Sequence, residues 1–134
     1  MIDLKSNCHL INGADLAYIG DAYYELMIRK YLLSLGITKN KELQKKSIMY
    51  VSAHAHQIIC DKLLKSFTEE EINIFKRGRN GAPHNHRKNL NFAEYCTSSG
   101  FEAVIGYWYL KENFNRLNEI INESIKIVEE KINE

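Results

Sequence analysis

A chain of 134 residues, 45% apolar and with a formal net charge of +1, is long enough for one compact domain with an ordinary core. Its single proline, Pro83, and seven glycines favour long uninterrupted helices over many turns. The sequence has no run of about 18 apolar residues of the kind that spans a membrane, and "MIDLKSNCHLING" lacks the basic start and apolar stretch of a signal peptide. A cytoplasmic location is therefore expected.

Residues 14–34, "ADLAYIGDAYYELMIRKYLLS", are predicted to form a helix. Leu16, Ile19, Tyr23, Leu26, Met27 and Leu33 share one face at helical spacing. Ala17, Tyr24, Ile28 and Leu32 make the far side apolar too, so this helix should be central and largely buried. Gly36 is its expected stop. A short helix, "KELQKKS", follows with Asn40 as its cap. Residues 52–65 form another, with Ser52 as N-cap, and Thr68 with Glu71 makes a capping-box pattern that starts "EEEINIFKRG". "RNGAPHNHRKN" combines glycine, proline, asparagine and charge and reads as a loop. Helical spacing resumes over residues 91–111, with a kink expected near Gly100. Last, "FNRLNEIINESIKIVEEKI" puts Phe114, Leu117, Ile120, Ile121, Ile125, Val128 and Ile132 on one stripe that should pack on the core. No segment has a convincing two-residue period. The expected fold is all-α, about six or seven helices in a single domain over residues 1–134.

The three cysteines, Cys8, Cys60 and Cys96, are scattered and odd in number, which argues for free thiols rather than a disulfide framework or a cysteine zinc site. Charge is segregated. Between Ile72 and Ala93 there is no acidic residue, but Lys76, Arg77, Arg79, Arg87 and Lys88 fall there with His84 and His86. Such a stretch is either a local contact for a polyanion or a solvated loop.

Two carboxylates stand out because an ionised acid is costly in apolar surroundings unless it is paired or bound to a cation. Asp21 lies in "YIGDAYYE", and Glu102 in "SGFEAVIGYWYL". Glu25, one turn after Asp21, shares its side of the helix. Each acid alone could face solvent or bind an arginine. Together, beside a basic loop, they would suit a divalent cation facing a phosphodiester, since Mg²⁺ takes one or two carboxylates plus water and phosphate oxygens. The pairs His54/His56 and His84/His86 invite a zinc reading, but the first lies on a helix, where such neighbours diverge, and the second lacks a third ligand nearby. Tyr107, Trp108 and Tyr109 read as packing rather than as a base-stacking platform, and Tyr18, Tyr23 and Tyr24 as core and dimer contact.

"LAYIGDAYYEL" resembles the signature helix of ribonuclease III, and "GFEAVIGYWYL" its second catalytic helix. "KKSIMYVSAHAHQ" and "FKRGRN" are similar to the short form, Mini-ribonuclease III, which has no separate double-stranded RNA-binding domain. The resemblance runs from about Asn12 to Leu110 with the motifs in order. It implies a homodimeric, Mg²⁺-dependent endoribonuclease that cuts double-stranded RNA, in a branch associated with maturation of large-subunit ribosomal RNA precursors. Asp21 falls on the family's catalytic aspartate and Glu102 on its catalytic glutamate, both as metal ligands. Glu25 is left as an outer acid or as a structural partner for a cation. Two positions depart from the longer enzymes: Ala17 and Ser99 stand where those carry carboxylates, which implies weaker metal holding. With no RNA-binding domain, grip on the duplex is expected from Arg77, Arg79, Asn80, Lys88 and Asn89, with His84 and His86 adding charge as pH falls. Ala17 and Ser99 also keep open a non-catalytic RNA-binding or ribosome-assembly module of the same fold. A helical protein-interaction domain is a third possibility.

Overall fold

The computed structural model describes residues 1–83 and 91–134. Among them are seven α-helices and no strand: α1 Leu4–Asn7, α2 Gly13–Ser34, α3 Asn40–Val51, α4 Ala53–Leu63, α5 Glu69–Asn80, α6 Phe92–Lys111 and α7 Phe114–Ile132. Short 3₁₀ turns follow α1 and α4.

Local chemistry sets most of the helix starts. The Asn12 side chain accepts the Asp15 N–H at α2, and Ser52 accepts Ala55 N–H at α4. Thr68 and Glu71 form the full reciprocal capping box at α5. Asn40 is not a cap. It is the first residue of α3, and its side chain accepts from Gln44 Nε2 at 2.6 Å. Gly36 has φ +86°, the left-handed conformation expected just past the end of α2. Helix α6 runs unbroken through Gly100. α1 has no apolar period and was not expected.

Helix α6 is the axis of the fold. From Ser98 to Trp108 every residue but Glu102 is buried, as suits a helix apolar all round. Helices α2, α4 and α5 pack around it. The buried side of α2 is Leu16, Ala17, Gly20, Tyr24, Ile28 and Leu32. This corrects the expected face: of that set only Leu16 is buried, and Leu26 and Leu33 are exposed. α7 lays its stripe on α4 and α6, though Phe114 and Ile132 at its ends are exposed. Glu129 of α7 accepts from the hydroxyls of Tyr31 and Tyr50, tying α7 to α2 and α3.

Away from the cleft described below, Glu71 is fully buried yet has both oxygens engaged. Oε1 accepts from Thr68 N–H and Arg116 Nη2, and Oε2 from Arg116 Nε and Trp108 Nε1. Burial pushes its acidity down, but the Arg116 guanidinium, the Thr68 N–H and the indole together hold it below the usual carboxylate range.

Candidate active site

Glycines bring α2, α5 and α6 into near backbone contact. A Cβ on Gly20 would lie 1.7 Å from the Glu102 carbonyl oxygen, and one on Gly106 would lie 2.0 Å from that of Leu16. A Cβ on Gly78 of α5 would meet the Ser99 carbonyl oxygen at 2.7 Å and Ala103 Cβ at 2.5 Å. No side chain fits at these crossings. Asp21, next to Gly20, is therefore held against Glu102.

The two acids differ in setting. Asp21 is exposed, contrary to the expectation of a buried aspartate, and Glu102 is half-buried. The reason is the direction of α2: its buried face runs through Gly20 and Tyr24, and Asp21 lies at that face's edge. Both acids line one open cleft with Ala17, Tyr18, Ser98 and Ser99. The Glu102 carboxyl is pushed up to about 10, by burial first, then by a hydrogen bond with Asp21 and by the negative charges of Asp21 and Glu25. Two carboxylates that crowd each other into holding a proton are a donor set suited to a hard divalent cation, which relieves the same repulsion. Among the described residues no group of three or more His, Cys, Asp or Glu side chains is placed to hold a metal, so the cleft offers this pair. Ala17 and Ser99 are in the cleft wall and contribute no carboxylate there.

The other expected residues scatter. Glu25 is half-buried and ion-paired to Arg29 at 3.6 Å. Arg77 is not free: its guanidinium donates to the His9 carbonyl at 3.2 Å and to that of Ile11, fixing the segment before α2. Arg79 and Asn80 are exposed at the end of α5. His84, His86, Lys88 and Asn89 lie outside the described residues. His54 and His56 diverge as expected. His54 bonds Glu94 at 2.7 Å, joining α4 to the start of α6, and His56 is buried against α6. Tyr107 and Trp108 are buried. Ser98, His56 and the 82% exposed Tyr18 were not expected at the site. Only the four-residue step from Ser98 to Glu102, one helical turn, was there to be read.

An all-helical domain with this carboxylate cleft matches the family model described as the ribonuclease III domain, over residues 14–113. A crystal structure of a protein from Fusobacterium nucleatum is similar, with a TM-score of 0.80 and 32% identity, over 90% of this chain and 96% of that one. The chain is 44% identical to a Mini-ribonuclease 3 of Enterococcus faecalis over 90% of its length and 92% of the relative's. It is 41% identical to one of Streptococcus pneumoniae, over 96% and 99%. The chain belongs to the Mini-ribonuclease 3 branch of the ribonuclease III domain family.

Proposed function

We propose that this protein hydrolyses phosphodiester bonds in double-stranded RNA, acting in the cytoplasm as a single-domain homodimer on large-subunit ribosomal RNA precursors. The observation that carries the reading is the meeting of Asp21 and Glu102 in one open cleft across the Gly20–Gly106 crossing. The name Mini-ribonuclease 3, borne by relatives matched over nearly all of this chain, supports the same reaction.

In this reading Asp21 and Glu102 together hold Mg²⁺, and the absence of carboxylates at Ala17 and Ser99 leaves further coordination to water and RNA phosphate. Bound there, the cation supplies positive charge that activates water and polarises the phosphodiester. Glu102, set deep by α6, fixes the pair's position, while the exposed Asp21 meets the incoming backbone. Arg79 and Asn80 present donors to phosphate and 2′-hydroxyl groups, with Lys88, Asn89, His84 and His86 assigned the same task. Arg77 serves the fold first. Tyr18, Leu26 and Leu33 leave an exposed apolar stripe on α2, which supports a second copy packing there. No helix among the described residues is long and apolar enough to cross a membrane.

The test is cleavage of a labelled long duplex RNA with Mg²⁺, with EDTA, and with Asp21→Asn. Cutting that needs Mg²⁺ and disappears in the variant is expected. Salt-sensitive binding with no cutting would favour the RNA-binding module instead.

A further inference from the structure

Behind the cleft wall sits a polar pair that the reading above does not use. His56 of α4 is 1% exposed. Its Nδ1 lies 2.6 Å from Ser98 Oγ, and its Nε2 is buried without a partner. Ser98 is 8% exposed, lines the same cleft as Asp21 and Glu102, and stands one helical turn before Glu102. His56 is the one partner of its side chain among the described residues.

The surroundings of His56 favour one tautomer. Burial keeps the ring neutral, so one nitrogen donates and the other accepts. A proton on Nε2 would be an orphaned buried donor, the rarer and costlier kind of unsatisfied group. A proton on Nδ1 instead donates to Ser98 Oγ and leaves Nε2 as an acceptor. The neighbouring Tyr24 hydroxyl is also buried without a partner, and the two rings are 5.3 Å apart. With its oxygen accepting from His56, the Ser98 hydroxyl has its own proton left to donate. His56 also contacts Phe101, whose ring centroid is 4.7 Å away and which directly precedes Glu102. It is thus wedged between the helices that carry both acids.

We propose that Ser98 donates a hydrogen bond to a phosphate oxygen of RNA in the Asp21–Glu102 cleft, and that His56 is the positioning residue that orients the serine hydroxyl for it. No proton is transferred; the serine is a fixed dipole aimed at charge developing on phosphate. The inference rests on the endoribonuclease reading.

The experiment measures single-turnover cleavage of labelled duplex RNA, with RNA affinity measured separately in EDTA and folding checked by thermal melts. Ser98→Ala is expected to slow cleavage about 10- to 100-fold, the loss typical of one hydrogen bond to a charged group, with affinity nearly unchanged. His56→Leu should cause a similar loss, and the double variant no more than either single. His56→Gln, which keeps an amide donor, should recover most of the rate. A Ser98→Ala enzyme at the wild-type rate would overturn the inference while leaving the nuclease reading intact. So would losses that multiply in the double variant, or that merely track a smaller folded fraction. A wild-type protein that never cuts duplex RNA would remove the nuclease reading itself, and this inference with it.

Discussion

Gly20 of α2 and Glu102 of α6 are in backbone contact, so close that a methyl group on Gly20 would fall 1.7 Å from the Glu102 carbonyl oxygen. The contact is with main chain, so no rotamer change can relieve it. Gly20→Ala must push α2 away from α6 and carry Asp21 with it. We expect a loss of about 3 kcal/mol or more, the upper part of the overpacking range, read by urea unfolding. Cleavage by the folded fraction should fall at least as far as a 1 Å misplacement implies, about 100-fold. Gly36→Ala is the contrasting control. Nothing lies within 4 Å of its Cβ position, so its cost is the left-handed φ alone, about 1 kcal/mol, with the cleft unaffected.

His56 makes stability depend on pH in a defined window. Burial lowers its folded-state pKa to about 3 from an ordinary 6.5. The unfolded chain therefore takes up a proton below pH 6.5 that the folded chain refuses until about 3. His56's own contribution is full above pH 6.5 and is lost as pH falls through that interval, at up to about 1.4 kcal/mol per unit. Glu102, raised to about 10, acts in the opposite sense over the same range, so the two proteins are compared with each other. From pH 7 to pH 5 the wild type should lose about 2 kcal/mol relative to His56→Gln in thermal melts. Equal pH responses in the two proteins would mean that His56 is not the group responsible.

The buried Glu71, paired with the half-buried Arg116, makes a test at residues that do not line the cleft. Both Glu71 oxygens are engaged, so removing the guanidinium leaves a buried carboxylate with only the Thr68 N–H and the indole. Arg116→Met should cost about 3–5 kcal/mol. Because the acid is held below its usual range, its contribution is present above about pH 4.5 and is lost as pH falls through the lower folded value. Adding Glu71→Gln to Arg116→Met should restore part of the loss, since it removes the uncompensated charge. Urea midpoints for the two variants decide the matter.

These residues show what a sequence can and cannot disclose. Caps act within four residues, so Ser52 and the Thr68–Glu71 box could be read directly and proved right. The stripe of α7 was legible for the same reason: one face is apolar and the other charged. In α2 the pattern failed because apolar residues surround the helix and no face stands out. Which side is buried is decided by Gly20 meeting Gly106, a contact 86 residues apart that no local period contains. That choice also decides that Asp21 is exposed. Arg77 and His56 are similar cases. Each looks like a surface group in its own segment, and each finds its partners on distant helices or on the N-terminal segment. Asp21 and Glu102 stood out as acids inside apolar helices, and the motif resemblance gave them their role, whereas their juxtaposition comes from the glycine crossing.

Arg77 and Arg79, two residues apart, should separate fold from RNA grip. Arg77 donates to two carbonyls of the segment leading into α2. Arg79 is exposed, lies over the Phe75 ring with its guanidinium carbon 5.9 Å from the centroid, and leaves donors facing solvent. Arg77→Ala should therefore lower stability by about 1–3 kcal/mol through the stranded carbonyls, visible in urea unfolding. Its effect on RNA affinity should follow from that loss. Arg79→Ala should leave unfolding within about 0.5 kcal/mol of wild type and weaken duplex RNA binding. If Arg79 meets a phosphate, the slope of log affinity against log salt should become shallower by about 1. An unchanged slope would mean that Arg79 does not contact the RNA backbone, and would move the expected grip to Lys88 and its neighbours.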